Sequence, residues 1–210
     1  MAILDDLREA VIEGQARLAA AKVIEGVASG IEAGTLLREG LIAGMAQVGQ
    51  LYEEGEIFVP EMLVAARAMT AALTVLKPHL VEEGVASGGK VAIGTTQGDL
   101  HDIGKNLVAM MLEGSGYEIV DLGVDVPAEK FVQAVRDGAN VVAMSALLTT
   151  TMTNMQVAIE AIKVAGLRDQ VRIVVGGAPI TKSYADEIGA DGYAEDASSA
   201  VRLVKEVLAA

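Results

Sequence analysis

The sequence predicts a four-helix bundle followed by a flavodoxin-like (Rossmann-like) α/β domain with a five-stranded parallel sheet. Apolar residues recur at three- and four-residue spacing through residues 1–81, which is the period of amphipathic helices. From residue 90 onward, short apolar runs rich in β-branched residues alternate with helix-like stretches, as in a parallel sheet covered by helices on both faces. Residues 82–89 are polar and glycine-rich, which is typical of a linker. We therefore expect domains at 1–81 and 90–210, joined by this linker.

The first half contains four stretches with helical periodicity. Gly14 separates the first two, and Pro60 falls in the first turn of the fourth, where a missing N–H costs little. Pro78, near the end of the fourth stretch, is expected to kink or stop it. Short helices with brief connections predict a small antiparallel bundle. The four stretches are residues 3–13, 15–29, 32–53 and 59–81.

The second half contains five candidate strands. Each of the first four is followed by a helix-like stretch, and a final helix is predicted over residues 196–209. Five such units in about 120 residues match the flavodoxin-like strand order 2-1-3-4-5. The strands are KVAIGTT (90–96), YEIVDLG (117–123), NVVAMSA (140–146), VRIVVGG (171–177) and the weaker DGYAE (191–195).

The composition excludes several classes of function. No cysteine is present, which excludes disulfides, iron–sulfur clusters, thiolate metal sites and cysteine nucleophiles. The 16 Lys and Arg residues are outnumbered by 29 Asp and Glu, for a net charge of −13. This disfavours a nucleic-acid partner, because phosphate binding needs basic residues. No apolar run of membrane-spanning length and no export signal is evident, so we expect a cytoplasmic protein with no membrane partner.

A ligand of a doubly wound sheet binds past the carboxyl ends of the strands, where the strand order reverses. For the order 2-1-3-4-5, this point lies between the first and third strands. The loops there read QGDLHDIG and ALLTTT, and the neighbouring loop reads GGAPIT. The first is not a phosphate loop, because five residues separate Gly98 from Gly104 and Asn106 follows Lys105. It also lacks the dinucleotide pattern G-x-G-x-x-G, so nucleotide hydrolysis is disfavoured.

One of the two histidines lies in the first of these loops. His101 has Asp99 two residues before it and Asp102 beside it, and a nearby carboxylate can fix the tautomer of an imidazole and raise its basicity. The pattern suits a base or a metal ligand, and equally a capping Asp beside a hydrogen-bonded surface His. One histidine cannot hold zinc or iron alone, so a metal here would arrive with most of its ligands attached, as in a tetrapyrrole or corrin. The other histidine, His79, is interpreted as a solvated residue at a helix end.

Three short motifs together resemble the signature of cobalamin-binding domains that place a protein histidine below the cobalt. They are D-x-H-x-x-G at 99–104, S-x-L at 145–147, and Gly176-Gly177 after a further strand–helix unit. Taken alone, the glycine pair is better explained as an ordinary strand-end turn. The segment QLYEEGEIFVPEMLVAARAMTAAL, residues 50–73, resembles the helical cap of methionine synthase and of corrinoid proteins in methyltransferase systems. A cap and a corrinoid domain together resemble the stand-alone corrinoid protein of such a system.

The resemblance implies a relay of three side chains. His101 would coordinate cobalt from below, and Asp99 would accept a hydrogen bond from the other imidazole nitrogen. Thr151 would supply the hydroxyl that completes the relay, at a position where methionine synthase has Ser. The expected metal ligand from the protein is therefore His101, and the expected catalytic residues are these three.

The resemblance also implies a set of residues around the corrinoid. Tyr52 and Val59 in the cap would cover the upper, methyl-bearing face, where the family usually has Phe and Leu. Ser145 and Leu147 would line the slot for the displaced nucleotide tail, and Gly176 and Gly177 would let that tail pass close to the backbone. The complete set is Tyr52, Val59, Gly98, Asp99, His101, Asp102, Ile103, Gly104, Ser145, Leu147, Thr149, Gly176, Gly177 and Ala178.

The function that the resemblance implies is methyl carriage in one-carbon metabolism. The corrinoid cobalt, held by His101, would accept a methyl group from a methyltransferase of methylamine, methanol, betaine or methoxy-aromatic type. A second methyltransferase, acting on tetrahydrofolate or coenzyme M, would take that group, and a reductive activase is a further expected partner. The chain would be a carrier subunit rather than a complete enzyme. The main alternative is the small cobalamin-binding subunit of a carbon-skeleton mutase; a corrinoid-based regulator and a flavodoxin-like receiver or FMN carrier are less favoured.

Overall fold

The computed structural model describes residues 2–85 and 88–209, which divide into two compact units. The helical unit comprises Met1–Gly88 with Glu113–Gly116, and the α/β unit comprises Gly89–Leu112 with Tyr117–Ala210. The expected linker, 82–89, includes Ala86 and Ser87, which lie outside the described residues.

Within residues 2–85, four helical stretches form, as the periodicity predicts. Gly14 takes a φ of +68° between the first two, a left-handed conformation that favours glycine and separates the helices. The third stretch is helical throughout, but its middle part is a wider π-helix. In order, the elements are α1 (Ala2–Ile12), α2 (Ala16–Ala28), α3 (Ala33–Thr35), the π-helical segment (Leu36–Ile42), α4 (Ala43–Glu53) and α5 (Val59–Glu82).

Apolar side chains from these helices form the core of the helical unit. Three methionines at helical spacing, Met45, Met62 and Met69, are buried, which is the role of core filler that their spacing indicates. The carboxylate of Glu83 accepts a hydrogen bond from the Ala33 amide at 2.9 Å. This contact ties the start of α3 to the end of α5. Other buried core residues of this unit are Leu7, Val11, Val23, Leu36, Leu41, Val48 and Leu76.

Pro78 was expected to kink or stop α5, and it does not stop it, because the helix continues to Glu82. The turn after Pro78 keeps a backbone bond from Glu83 N–H to His79 O at 3.0 Å. A kink at Pro78 stays a prediction. The expectation that no apolar run reaches membrane-spanning length also fails, because α5 has 24 residues and a mean hydropathy of 1.4 over 18 of them. Seven of its 24 residues are buried in the helical unit, and one helix of this length and composition is only weak evidence for a membrane span.

The α/β unit contains a five-stranded parallel sheet of order β2-β1-β3-β4-β5, and this confirms the predicted fold class. The strands are β1 (Lys90–Thr96), β2 (Glu118–Val126), β3 (Val141–Ser145), β4 (Arg172–Gly176) and β5 (Gly192–Ala194). The helices are α6 (Ile103–Gly114), α7 (Ala128–Arg136), α8 (Thr149–Val164), α9 (Lys182–Ile188) and α10 (Ala197–Ala209), with a short 3-10 helix at Arg168–Gln170.

Alternate strand residues face two different helix layers, because successive side chains of a strand point to opposite faces. Ala92 of β1 belongs to a large cluster with Phe131 of α7 and Ile159 of α8. Its neighbours on either side, Val91 and Ile93, belong to a smaller cluster with helices α6 and α10. Both faces of the sheet are therefore covered, and the carboxyl ends of β1, β3 and β4 meet at one edge.

Candidate functional site

The loop between β1 and α6 carries a buried aspartate beside an exposed histidine. His101 Nδ1 lies 2.6 Å from Asp99 Oδ1. The Asp99 side chain is 0% exposed, whereas the His101 side chain is 51% exposed. The backbone N–H of His101 donates to the same carboxylate oxygen at 3.1 Å, which is a local Asx-type turn. One carboxylate oxygen thus orients both the backbone and the ring of His101.

The other oxygen of Asp99 faces the start of α8. Oδ2 accepts hydrogen bonds from Thr151 Oγ1 at 2.7 Å, from the Leu147 amide at 2.8 Å and from the Leu148 amide at 3.4 Å. The positive end of a helix dipole favours an anion at this place. The loop after β3 therefore completes a binding place for the Asp99 carboxylate.

These contacts settle the ionisation of Asp99 and the tautomer of His101. Burial alone would raise the pKa of Asp99, but hydrogen bonds from Thr151, Leu147 and His101 outweigh it and hold the pKa well below its usual range. An ionised carboxylate can only accept hydrogen bonds, so Nδ1 of His101 carries the proton. Nε2 keeps its lone pair, and it has no hydrogen-bond partner among residues 2–85 and 88–209.

Exposed apolar side chains surround His101. Leu100 and Ile103 flank it in the loop and are largely exposed, and Leu147 and Leu148 from the loop after β3 are also exposed. A Cβ added at Gly104 would meet no described heavy atom within 4 Å. An imidazole lone pair set in an exposed apolar surface suits a flat, largely apolar ligand that carries a metal.

The set of donor groups fits a corrinoid rather than a bare metal ion. No group of three or more His, Asp or Glu side chains in the described part of the chain is arranged to hold a metal. His101 offers a single nitrogen, which is what a metal needs when a macrocycle supplies its other ligands. The residues present therefore fit the cofactor that the sequence motifs imply.

A row of small residues crosses the sheet near the carboxyl ends of four strands. Thr95 of β1 pairs with Ser145 of β3, Ser145 pairs with Gly176 of β4, and Gly176 pairs with Ala194 of β5. Thr95 lies two residues after Ile93, so this row faces the α6 and α10 side. Of these four, Ser145 was predicted to line the slot for a nucleotide tail, and Gly176 was predicted to let that tail pass close to the backbone. Both roles remain predictions.

The glycine pair after β4 also has a structural explanation within the protein. Gly177 takes a φ of +128°, and a Cβ there would lie 1.9 Å from the carbonyl oxygen of Ala146. A Cβ at Gly176 would lie 2.9 Å from the carbonyl oxygen of Ala194. Both glycines are therefore required by the approach of neighbouring strand ends, whatever ligand lies beside them.

The α/β unit brings most of the predicted site residues to one edge of the sheet. Hydrogen bonds join Asp99, His101, Thr151 and Leu147 directly. Others lie in the same three loops, at the last residues of β3 and β4, or at the adjoining helix starts, namely Gly98, Asp102, Ile103, Gly104, Ser145, Thr149, Gly176, Gly177 and Ala178. Tyr52, near the end of α4, and Val59, at the start of α5, belong to the helical unit, and their place at the cofactor stays a prediction.

Sequence reasoning missed several residues that hold this loop. Leu148 contributes only its backbone amide, and no side-chain signal indicates that. Thr95 Oγ1 donates to the His101 carbonyl at 2.8 Å, and its place at the end of β1 could have indicated this. The side chain of Asp125 accepts a hydrogen bond from the Gly98 amide at 2.7 Å. Its position after the apolar run of β2 is a signal that could have been used, since that strand neighbours β1.

Comparison with known protein families places both halves of the chain. A profile described as a B12 binding domain matches residues 89–202. A second profile with the same description matches residues 3–77. Together they cover the candidate site and the helices that precede it.

Known proteins resemble the chain over nearly its whole length. The trimethylamine corrinoid protein of Methanosarcina barkeri is 45% identical over 209 residues, covering 98% of this chain and 96% of the relative. The dimethylamine corrinoid protein of the same organism is 43% identical over 211 residues, covering 99% and 98%. The crystal structure of the methanol:cobalamin methyltransferase complex MtaBC from Methanosarcina barkeri aligns with a TM-score of 0.87 and 29% identity, covering 99% of this chain and 80% of that one.

Proposed function

This chain belongs to the family of B12-binding corrinoid proteins found in methyltransferase systems, and we propose that it is a methyl carrier. Its cofactor is a cobalamin or a related corrinoid. In this proposal, a substrate methyltransferase delivers a methyl group to the bound corrinoid. A second methyltransferase, acting on tetrahydrofolate or coenzyme M, removes it. The chain is then a carrier subunit, with a reductive activase as a further partner.

The observation that carries the proposal is the pairing of buried Asp99 with exposed His101. The short contact to Asp99 keeps the proton on Nδ1 and directs the Nε2 lone pair toward the exposed side. A histidine without a function on the surface of a loop does not need a buried carboxylate that accepts five hydrogen bonds. This pairing is what a carrier needs when its imidazole is to bind a metal.

Each member of the relay has its own part in the proposal. A bound corrinoid supplies the cobalt that holds the methyl group. His101 would hold that cobalt through Nε2, while its Nδ1–H donates to the Asp99 carboxylate. Thr151 donates to Asp99 Oδ2, which helps to keep the carboxylate ionised.

The remaining site residues bind the cofactor without reacting. Leu147 and Ile103 present apolar surface beside His101, and Ser145 and Gly176 belong to the row of small residues that would accept a nucleotide tail. In the helical unit, Tyr52 and Val59 would cover the methyl-bearing face and exclude water. This assigns the cap to 1–81, the linker to 82–89 and the cofactor domain to 90–210.

The methyl donor is proposed only as a class. The relatives are named for trimethylamine and dimethylamine, and the structural neighbour is a methanol complex. Methylamines, methanol, betaine and methoxy-aromatic compounds are the candidate donors, each through its own methyltransferase. A net charge of −13 is poorly suited to nucleic acid, so we propose that the partners are proteins. We also propose a cytoplasmic location.

The match of a B12 binding domain profile to residues 3–77 favours the methyl-carrier function over the alternative, the small cobalamin-binding subunit of a mutase.

Reconstitution tests the proposal. Purified protein incubated with hydroxocobalamin should acquire a red colour and the absorption spectrum of histidine-ligated cobalamin. His101→Gln should lose that spectrum, while His79→Gln, which removes the other histidine of the chain, should keep it. The reconstituted parent protein, once reduced, should also accept methyl groups from methyl iodide. Retention of the cofactor's own base on cobalt in the parent protein, or an unchanged spectrum in His101→Gln, would contradict the proposal.

A further inference from the structure

The end of β2 has an irregular pairing beside the His101 loop. β2 is an edge strand and pairs only with β1. Along this pair, Ile93 aligns with Asp121, Gly94 with Gly123 and Thr96 with Val126. Each of the two register shifts leaves one extra residue on β2, so the strand carries two successive β-bulges. Bulges redirect side chains and are frequent beside functional sites.

The second bulge directs Asp125 onto the start of the His101 loop. Its Oδ1 accepts a hydrogen bond from the Gly98 amide at 2.7 Å, and its own amide donates to the Asp99 carbonyl at 2.9 Å. Asp125 has a φ of +52° and is the only non-glycine residue with positive φ in the part of the chain that the structure describes. Such a conformation is uncommon outside glycine, and here it lets one residue contact two consecutive residues of the loop.

Asp121, the residue paired with Ile93 just before the first bulge, contacts the other end of the loop. Asp121 Oδ1 lies 2.7 Å from Lys105 Nζ and also accepts the Gly123 amide at 2.9 Å. The Lys105 side chain is only 2% exposed, so this pair is partly removed from water. Lys105 lies in the first turn of α6, just after His101. The two carboxylates of β2 thus contact the segment on both sides of the histidine.

We propose that the bulged end of β2 is a brace that positions His101, with Asp125 as the positioning residue for Gly98 and Asp99. Asp121 holds the far end through Lys105. The brace acts through the backbone of Asp99, whose side chain in turn orients the imidazole. That the brace strengthens the binding of a metal by His101 rests on the proposed function. That it holds the backbone of the His101 loop in place does not. A small displacement of a supporting group is enough to weaken a site of this kind.

Three substitutions at Asp125 separate the hydrogen bond from the backbone conformation. Asp125→Asn keeps an acceptor oxygen and a residue type that tolerates positive φ. Asp125→Gly keeps the conformation but removes the acceptor, and Asp125→Ala removes both. Asp169→Ala is the matched control, because Asp169 is an exposed carboxylate in the 3-10 helix Arg168–Gln170, which precedes β4 at the opposite end of the strands.

The first readout uses the protein without corrinoid. Amide hydrogen exchange measured by NMR should show the Gly98 amide losing protection by about tenfold or more in the Ala and Gly variants, since a hydrogen bond to a charged acceptor is lost. Asp125→Asn and Asp169→Ala should keep the protection of the parent protein. Equal protection of Gly98 in all variants would overturn the brace.

The second readout uses the protein loaded with hydroxocobalamin. The pH at which the imidazole ligand is lost, followed by absorbance, should move upward by about one unit for each tenfold loss of ligation. We expect this shift in Asp125→Ala and Asp125→Gly, and rescue in Asp125→Asn. Loss of Gly98 protection with an unchanged pH profile would overturn the positioning role. A parent protein without His101-dependent absorption would instead refute the proposed function, and the exchange measurement would still decide whether the brace exists.

Discussion

Asp99 is a fully buried carboxylate whose charge is stabilised entirely by hydrogen bonds. A buried anion is costly unless it is fully hydrogen-bonded, and Asp99 uses one oxygen for His101 and the other for Thr151 and two backbone amides. The carboxylate thus stays ionised in a buried place and orients the His101 imidazole through Nδ1. This property makes the residue pair suitable for binding a metal through the other imidazole nitrogen.

The depressed pKa of Asp99 makes a prediction about acid stability. Since its pKa is lower in the folded protein than in the unfolded chain, ionised Asp99 stabilises the fold above the unfolded value, about pH 4. That contribution, of the order of 2 kcal/mol, is lost as the pH falls further toward the folded pKa. In the corrinoid-free protein, Asp99→Asn should be less stable at neutral pH, and its urea midpoint should fall less steeply below pH 4.

Asp169→Asn is the control for this experiment, because it removes an exposed carboxylate far from the site. Its urea midpoint should follow the parent protein across the whole pH range. The same acid dependence in the parent and Asp99→Asn would show that Asp99 does not contribute its charge in this way.

At the scale of residues, the sequence predicts the chemical groups better than their supports. D-x-H-x-x-G and Thr151 mark side chains whose chemistry is visible in their type and spacing, and the structure brings them together. The amide of Leu148 could not be predicted, because a backbone donor has no sequence signature. Asp125 follows an apolar run in a strand next to β1, which marks it as a candidate, but its contact with Gly98 depends on a bulge and therefore on tertiary pairing. Support that comes from backbone geometry is visible only in the fold.

The connection after β4 shows how an element depends on one glycine. Gly177 combines positive φ with a position where a Cβ would collide with the Ala146 carbonyl. Gly138, after α7, has a φ of +91°, but a Cβ added there would meet no described atom within 4 Å. An alanine at this position therefore reports the cost of the backbone conformation without a collision. Gly138→Ala should cost about 1–2 kcal/mol, and Gly177→Ala should cost at least about 2 kcal/mol more because the strand end must move.

Urea denaturation of the two alanine variants measures this difference in the free energy of unfolding. A Gly177→Ala protein as stable as Gly138→Ala would show that the close approach to Ala146 is relaxed at little cost.

Elements were predicted well where one period dominates the pattern. The five strands and their order follow from alternation of apolar runs with helices, and the observed order agrees. β2 extends to Val126, past the predicted end at residue 123, because its two bulges allow the strand to continue through an acidic segment. The π-helical segment was not predicted, because it differs from an α-helix in its backbone hydrogen bonds and not in its apolar spacing. Within it, the Glu39 carbonyl accepts a hydrogen bond from the Arg8 side chain at 3.0 Å.

At the scale of the whole molecule, the proposed metal ligand and its support belong to one unit. Among the residues that the structure describes, His101 and every residue hydrogen-bonded to the Asp99 carboxylate lie in the α/β unit. The relatives named for trimethylamine and for dimethylamine are 45% and 43% identical to this chain over nearly its whole length. Such even similarity does not single out a methyl donor for the proposed function.

The central claim is that the polypeptide supplies one nitrogen to cobalt. Electron paramagnetic resonance of the protein loaded with cob(II)alamin, with and without ¹⁵N-labelled histidine, tests it most directly. With unlabelled cofactor, histidine labelling should convert the nitrogen superhyperfine triplets to doublets in the parent and in His79→Gln, because the coupled nitrogen then belongs to His101. Triplets that persist after histidine labelling, as expected when the cofactor's own base remains bound, would contradict the account.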